Sequence, residues 1–455
     1  MNGSVTPDSA LVAKWRTRAP RYTSYPTAPH FHAIAPAAVD AGLARNTGEF
    51  AAYVHLPFCV QRCLYCGCHV EIQGKRAVAD PYVDAVVREA GLKAARMQPG
   101  RVLSQLSLGG GTPTFLLPEQ MRRLVAGLRS VWPFAVDADL AIEIDPRTVD
   151  AAYLDDLVDL GFNRFSFGVQ DLDPEVLRVV HRDQPVDLTV QALASLRRRG
   201  AFDINMDLVY GLPEQTSQGF RNTVAVIAEM RPTRIALFQY AHVPWMKPAQ
   251  KVLEQYTLPD SDAKADMFTI ASEAFGAAGY APVGMDHFAL PGDALLAAQA
   301  SGTLQRNFEG YTTHGGLDLI GLGVSAIGSF GGAYAQDKKD RAAWTADIAA
   351  GQLPTDRGFV LSADDALRRR VIMALFCNLT VTLDEAEYAA LHAPIQALAP
   401  LAEDGIVHLD VSAGPAPRCV VQITALGRHF IRNVCAAFDA YLESDAGQRR
   451  YSVTA

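Results

Sequence analysis

Four cysteines fall within ten residues of the run "HLPFCVQRCLYCGCHV" at positions 55–70: Cys59, Cys63, Cys66 and Cys68. The other three, Cys377, Cys419 and Cys435, stand singly near the far end of the chain. An odd count, mostly crowded together, is no secreted disulfide framework. Thiols at this density bind metal. Structural zinc takes four ligands, usually as two separated pairs, and no second Cys or His pair follows at a suitable distance, although His55 and His69 flank the loop. An iron–sulfur cluster is held by thiolates, commonly four. Cys59, Cys63 and Cys66 supply three and leave one iron open to a substrate or cofactor. Cys68 lies too close to Cys66 for one short loop to wrap all four irons with ease. It stays open as spare thiol, hydrogen donor or fourth ligand.

Other polar residues recur where apolar runs end. "LSLGGGTPTF" sets Gly109, Gly110 and Gly111 before Thr112. That is either a tight turn into a helix or a place where backbone approaches a ligand closely. Glu143 in "IEIDP" ends an apolar run, where a carboxylate needs a partner. Gln170, Arg182 and Asp207 stand at or just after the next such runs. Singly each is ordinary; together they outline one pocket.

These residues need elements to carry them. Six strand patterns, at 51–57, 102–108, 139–145, 164–169, 203–211 and 233–241, alternate with helical patterns at 80–97, 118–132, 148–160, 187–199 and 215–229. Strands this apolar are covered on both faces. The alternation predicts parallel βαβ units, closed as a partial or complete β/α barrel or laid out as an open doubly wound sheet. Polar clusters at the C-terminal ends of successive strands favour a barrel, whose chemistry sits on that rim. Residues 1–45 read as an N-terminal arm over the active site, 46–350 as the barrel and 351–455 as a smaller, mainly helical C-terminal domain. Within these, 319–336 reads as a buried glycine-rich loop and helix, 351–358 as a linker, and 425–442 as a closing helix.

The 455 residues exceed one ordinary core. A net charge of −8 and a pI of about 5.8 give no basic footprint for nucleic acid. No secretory signal or membrane span stands out. The chain reads as cytosolic, and as a monomer.

The cysteine spacing with an aromatic residue, Tyr65, before Cys66 resembles the radical S-adenosylmethionine (SAM) enzymes. "APRYTSYPTA", "YVHLPFC", "CGC", "GGGTPT", "IEIDPR", "GVQD", "DLVYGLP", "YAHVP", "GMDHFA", "NFEGYTT" and "GVSAIG" are together similar to the oxygen-independent coproporphyrinogen III oxidases of haem biosynthesis, over nearly the whole chain. The resemblance implies a radical SAM barrel and a 4Fe–4S cluster on Cys59, Cys63 and Cys66, with SAM gripping the open iron. A 5′-deoxyadenosyl radical would then abstract hydrogen from two propionates of coproporphyrinogen III, which lose carbon dioxide to become the vinyl groups of protoporphyrinogen IX. It places SAM contacts at Tyr53, Gly110, Gly111, Thr112 and Glu143. A second SAM molecule falls to Tyr65, Gln170, Arg182 and Asp207, with further contacts at Ala241 and Ile327. Where the family can carry Phe, this chain has Tyr65. Arg21, in the arm, is a candidate for a substrate propionate, with a plain surface arginine as the alternative. His242, His287 and Tyr311 sit in family-like motifs and are equally well satisfied structural residues. The electron donor and acceptor stay unidentified. A related haem chaperone or another radical SAM tetrapyrrole enzyme is the rival. The second cysteine of "CGC" and the "PRYTSYPT" arm, which the chaperones usually lack, favour the oxidase.

Overall fold

The computed structural model describes residues 8–200, 202–412, 418–442, 451–452 and 454. Six strands, Glu49–Leu56, Val102–Gly110, Phe134–Ile144, Arg164–Gln170, Asp203–Tyr210 and Arg234–Gln239, lie side by side in chain order, each parallel to the next. Helices Ala79–Ala94, Pro118–Val131, Ala151–Asp159, Val186–Arg199 and Ser217–Met230 return the chain between them. Short polar side chains start several of these helices. Asp150 accepts from the Tyr153 N–H and Thr216 from the Gly219 N–H, each satisfying an orphan donor of the first turn. One apolar core runs between sheet and helices, from Phe50 and Leu106 through Phe165 and Met206 to Ile235.

The sheet has twelve strands, ordered from Thr355–Val360 at one edge to Ala281–Val283 at the other. Its edges do not join, so of the expected closures the partial barrel is the one formed. At the first strand's free side Asp318–Leu322 adds a parallel neighbour.

Two expectations fail here. Residues 319–336 are not loop and helix but three strands, Asp318–Leu322, Ile327–Phe330 and Ala333–Asp337, the last two an antiparallel hairpin. Their glycines mark close strand packing. A Cβ on Gly321 would come 2.9 Å from the Ile327 backbone, and Gly331 and Gly332, at φ 56° and 80°, make the tight turn. The supposed linker at 351–358 leads straight into Thr355–Val360, which pairs with Ala333–Asp337. His32 of the N-terminal arm caps that edge through two backbone hydrogen bonds to Gly358, of 3.0 and 2.8 Å.

Behind these added strands Lys93 is buried. Its Nζ lies 2.6 Å from Glu89 and 2.9 Å from Asp337, and donates to the Gly321 carbonyl at 2.5 Å. One ammonium thus ties a barrel helix to two of the extra strands.

The C-terminal part begins with helix Ala363–Asn378 and holds a three-stranded sheet of Thr380–Leu383, Arg418–Ile423 and Val407–Ser412. The closing helix is broken into a tight turn, Leu426–Phe430, and a short helix, Ile431–Ala436. Gly427 presses on the Ile406 carbonyl there, leaving no room for a side chain. The arm's Tyr22 and Tyr25 are buried in this C-terminal core, where the Tyr22 hydroxyl donates to Asp439 at 3.0 Å. That anchoring delivers Arg21 to the barrel rim.

Candidate active site

The thiol loop leaves the rim end of the first strand. Its base is pinned where Phe58–Cys59 pairs with Glu71–Ile72, and its middle where the Leu64 N–H donates to the Val180 carbonyl at 3.0 Å. Each of the three expected ligands then has a polar neighbour at its sulfur. Cys59 Sγ lies 3.3 Å from the Thr112 hydroxyl. Cys63 Sγ accepts from Arg182 Nη1 at 3.4 Å and from Arg147 Nη2 at 3.9 Å. Cys66 Sγ accepts from the Cys68 N–H at 3.4 Å. Donors aimed at sulfur favour thiolates and tune any cluster they hold. Hydrogen bonding from Cys68 pulls the Cys66 thiol down to about 6, whereas burial pushes Cys59 up to about 11.

Among the described residues no three Cys, His, Asp or Glu side chains gather tightly enough to hold a single ion. Cys59, Cys63 and Cys66 line one cavity from three positions of the loop, and three such thiols suit a cluster that offers a separate iron to each. The donor set fits a 4Fe–4S group with three protein ligands.

Cys59, Cys63, Cys66 and Cys68 line a cavity of about 480 Å³, together with Tyr65, Gly110, Gly111, Thr112, Glu143, Gln170, Arg182, Asp207 and Arg21. Residues at the ends of several strands and Arg21 from the N-terminal segment thus meet on one cavity. The glycines answer to the protein's own crowding. A Cβ would stand 2.9 Å from Glu143 at Gly109, 2.6 Å from the His55 ring at Gly110 and 2.7 Å from the Pro57 backbone at Gly111. Gly110, at φ 114°, also donates its N–H to Glu143 Oε2 at 3.1 Å. That is the sole hydrogen bond to this carboxylate among the described residues. Lost hydration, and then Asp207, push its pKa up to about 7. A carboxylate so placed is complementary to a cation entering the cavity.

Gln170 reaches the cavity through a local irregularity. The strand register slips between Gly168 and Gln170, and Gln170 takes φ 70°. Such a bulge re-aims a side chain at the end of a strand.

Arg182 is buried and fully engaged. Besides Cys63 it donates to the Gly168 carbonyl at 2.6 Å and to Gln184 at 3.0 Å, and it stands 3.3 Å from Asp145. Asp145 also pairs with Arg147 at 2.7 Å. Burial opposes its charge, but the two guanidinium groups hold its pKa below the usual carboxylate range. Asp145 and Arg147 were not among the site residues expected from the sequence. Both lie in "IEIDPR", directly after Glu143, and a strand-end acid–base pair was the available signal.

Tyr53 sits apart from the thiols, in an adjoining cavity of about 190 Å³ that shares Glu143, Ser166, Asp207 and Phe238 with the first. Its hydroxyl lies 3.0 Å from His55 Nδ1, while His55 Nε2 is 2.9 Å from the His69 carbonyl. A carbonyl only accepts, so Nε2 carries the proton. Burial drives the ring's pKa down to about 4, leaving Nδ1 to accept from Tyr53. His287 and Tyr311 line this second cavity too, as does Glu309, whose Oε1 is buried without a hydrogen-bond partner among the described residues. Burial pushes Glu309 up to about 7. Ala241 and Ile327 line neither cavity. Ala241 holds Gln250 through its carbonyl at 3.2 Å, and Ile327 pairs with Gln336 in the extra hairpin. His242 is likewise outside, between Tyr240 at 2.9 Å and Glu254 at 3.3 Å.

Comparison with known proteins agrees with this architecture. Residues 53–227 match the family model described as the radical SAM superfamily. The chain is 40% identical over 456 residues to the oxygen-independent coproporphyrinogen III oxidase of Escherichia coli K12, covering 98% of both chains. It is 40% identical to that of Pseudomonas aeruginosa, covering 97% of both, and 35% identical to that of Helicobacter pylori, covering 99% of both. The solved structure of the Escherichia coli coproporphyrinogen III oxidase, described as a radical SAM enzyme, superposes with a TM-score of 0.88 at 38% identity. It covers 96% of this chain and 100% of that one. With a cysteine-lined rim cavity on a partial barrel and relatives alike from end to end, the chain belongs to the oxygen-independent coproporphyrinogen III oxidase family of radical SAM enzymes.

Proposed function

We infer that the protein converts two propionates of coproporphyrinogen III to the vinyl groups of protoporphyrinogen IX without oxygen, using a 4Fe–4S cluster and SAM. The observation that carries this reading is the convergence of Cys59, Cys63 and Cys66 with Glu143, Gln170 and Arg182 on one cavity. When bound, the cluster and SAM supply one-electron chemistry that removes a hydrogen atom from a propionate carbon.

The chain's own residues do the positioning. Cys59, Cys63 and Cys66 would hold three irons, and Cys68 offers its backbone N–H to the Cys66 sulfur instead of a fourth thiolate. Glu143 faces the space where the positive groups of SAM would lie, oriented by the Gly110 N–H. Arg182, locked by Asp145 and Gln184, sets a fixed positive charge beside Cys63. Such preorganised charge needs no rearrangement at the moment of reaction. The arm, fastened in the C-terminal core, helps keep water from the rim.

Two SAM molecules are part of this reading. Its support is the pair of adjoining cavities with Glu143 and Asp207 in common. Tyr53, Gly110, Gly111, Thr112 and Glu143 would serve the molecule at the open iron, and Tyr65, Gln170, Arg182 and Asp207 the other.

The test is an anaerobic assay of the reconstituted protein with coproporphyrinogen III, SAM and reductant. Formation of the divinyl product with SAM cleavage is expected. SAM cleavage without vinyl products, or stable haem binding without SAM cleavage, would refute the reading.

A further inference from the structure

A separate chamber of about 360 Å³ lies where barrel, N-terminal arm and C-terminal domain meet. It shares Arg21 with the thiol cavity, so one guanidinium serves both spaces. Three more cations line it from separate elements: Lys264 on helix Ser261–Ala277, Arg428 in the turn Leu426–Phe430, and Arg432 on Ile431–Ala436. Phe268 and Met285 give it apolar walls.

Among the described residues Arg21, Lys264 and Arg428 form no direct ion pair with a carboxylate. Among the described residues Arg21 donates only to the Gln239 carbonyl, at 2.8 Å, and Arg428 only to that of Gly284, at 3.4 Å. Arg432 binds the backbone carbonyls of Ala19, Pro20 and Ser452. The Lys264 ammonium makes no hydrogen bond among the described residues, with Arg16 and Asp260 acting on it only at a distance; its stem packs over Gly211, where a Cβ would come 2.8 Å from Lys264 Cε. Of the two carboxylates on the lining, Asp286 is bonded to Arg306 at 3.3 Å and His287 at 2.8 Å and attracts Arg21 without touching it, and Asp266 is exposed. Burial presses all four cations below their ordinary pKa values, Arg432 to about 9. Positive charge withdrawn from water without a partner is costly, and a bound anion removes that cost.

We propose that this chamber binds the propionate carboxylates which the tetrapyrrole keeps through the reaction, with Lys264 and Arg428 as anchors and Arg21 linking them to the reacting side. The inference rests on the substrate reading above. Coproporphyrinogen III carries four propionates and two survive, so two anionic arms need neutralising while the others face the thiol cavity. Cations in a walled chamber give such arms charge-assisted hydrogen bonds, and the apolar walls suit the pyrrole faces.

The test is titration of the full chain with coproporphyrin III, a fluorescent oxidised analogue with the same four carboxylates, beside its tetramethyl ester. Wild-type protein is expected to bind the tetra-acid well and the ester poorly. Lys264→Met and Arg428→Met should each bind the acid about tenfold more weakly or worse, Lys264→Glu weaker still, and Arg428→Lys close to wild type. In turnover, KM for coproporphyrinogen III should rise by a similar factor, with a much smaller change in kcat. Lys264 is only half-buried, so its variants carry the test if an Arg428 variant does not fold. Unchanged acid affinity in folded Lys264→Glu would overturn the chamber's role and leave the function standing. A wild-type protein that neither binds the acid nor converts coproporphyrinogen III would overturn both.

Discussion

Arg182 Nη1 donates to Cys63 Sγ across 3.4 Å, although 119 residues separate the two. The contact joins the thiol loop of the first strand to the segment after the fourth, and Asp145 at 3.3 Å, from the third, holds the guanidinium in place. Both the hydrogen bond and the positive charge favour the more reduced state of a cluster on Cys63. Arg182→Met should therefore move the cluster's midpoint potential to a more negative value and slow SAM cleavage. Arg182→Lys, keeping charge but losing the fork, should fall between. An anaerobic redox titration followed by electron paramagnetic resonance checks this; an unchanged potential would contradict it.

Glu143 has a pKa of about 7 before any cation binds. Above that pH the carboxylate is ionised and attracts the positive groups of SAM; below it the group is protonated and the attraction is lost. SAM affinity of the reconstituted protein should fall by up to about tenfold per pH unit as pH drops below the pKa. Glu143→Gln should bind SAM weakly at every pH with a nearly flat profile. Equilibrium binding between pH 6 and about 8.5 reads both, and a pH-dependent Gln variant would assign the titration elsewhere.

Lys93 tests the added strands. Replacing it by Met leaves Glu89 and Asp337 buried together without their cation. The expected loss is about 3–5 kcal/mol of stability, read as a lower denaturant midpoint of the cluster-free protein. Lys93→Met with Glu89→Gln and Asp337→Asn should recover part of it.

The barrel strands and most of its helices were legible because apolar runs and 3.6-residue periodicity act locally. The three cysteines, Glu143, Gln170, Arg182 and Asp207 were legible as rim residues for the same reason: each follows a recognisable strand. What escaped depended on contacts between distant segments. Glycines at 319–336 signalled a loop until their packing against neighbouring strands was seen. Asp145 and Arg147 became notable only once Arg182 and Cys63 were beside them. Lys264 and Arg428 stand on elements far apart in the sequence, and no spacing along the chain links them. Tyr53 lay at a readable strand position, but its placement in the adjoining cavity depends on how the strands curve.

The central claim is that Cys59, Cys63 and Cys66 alone hold the cluster and leave one iron for SAM. Electron paramagnetic resonance of the reduced, reconstituted Cys68→Ser protein, recorded with and without SAM, tests it most directly. The account predicts a 4Fe–4S signal at wild-type intensity that changes on adding SAM, and none in Cys59→Ser, Cys63→Ser or Cys66→Ser. Loss of the signal in Cys68→Ser, or a signal indifferent to SAM, would contradict it.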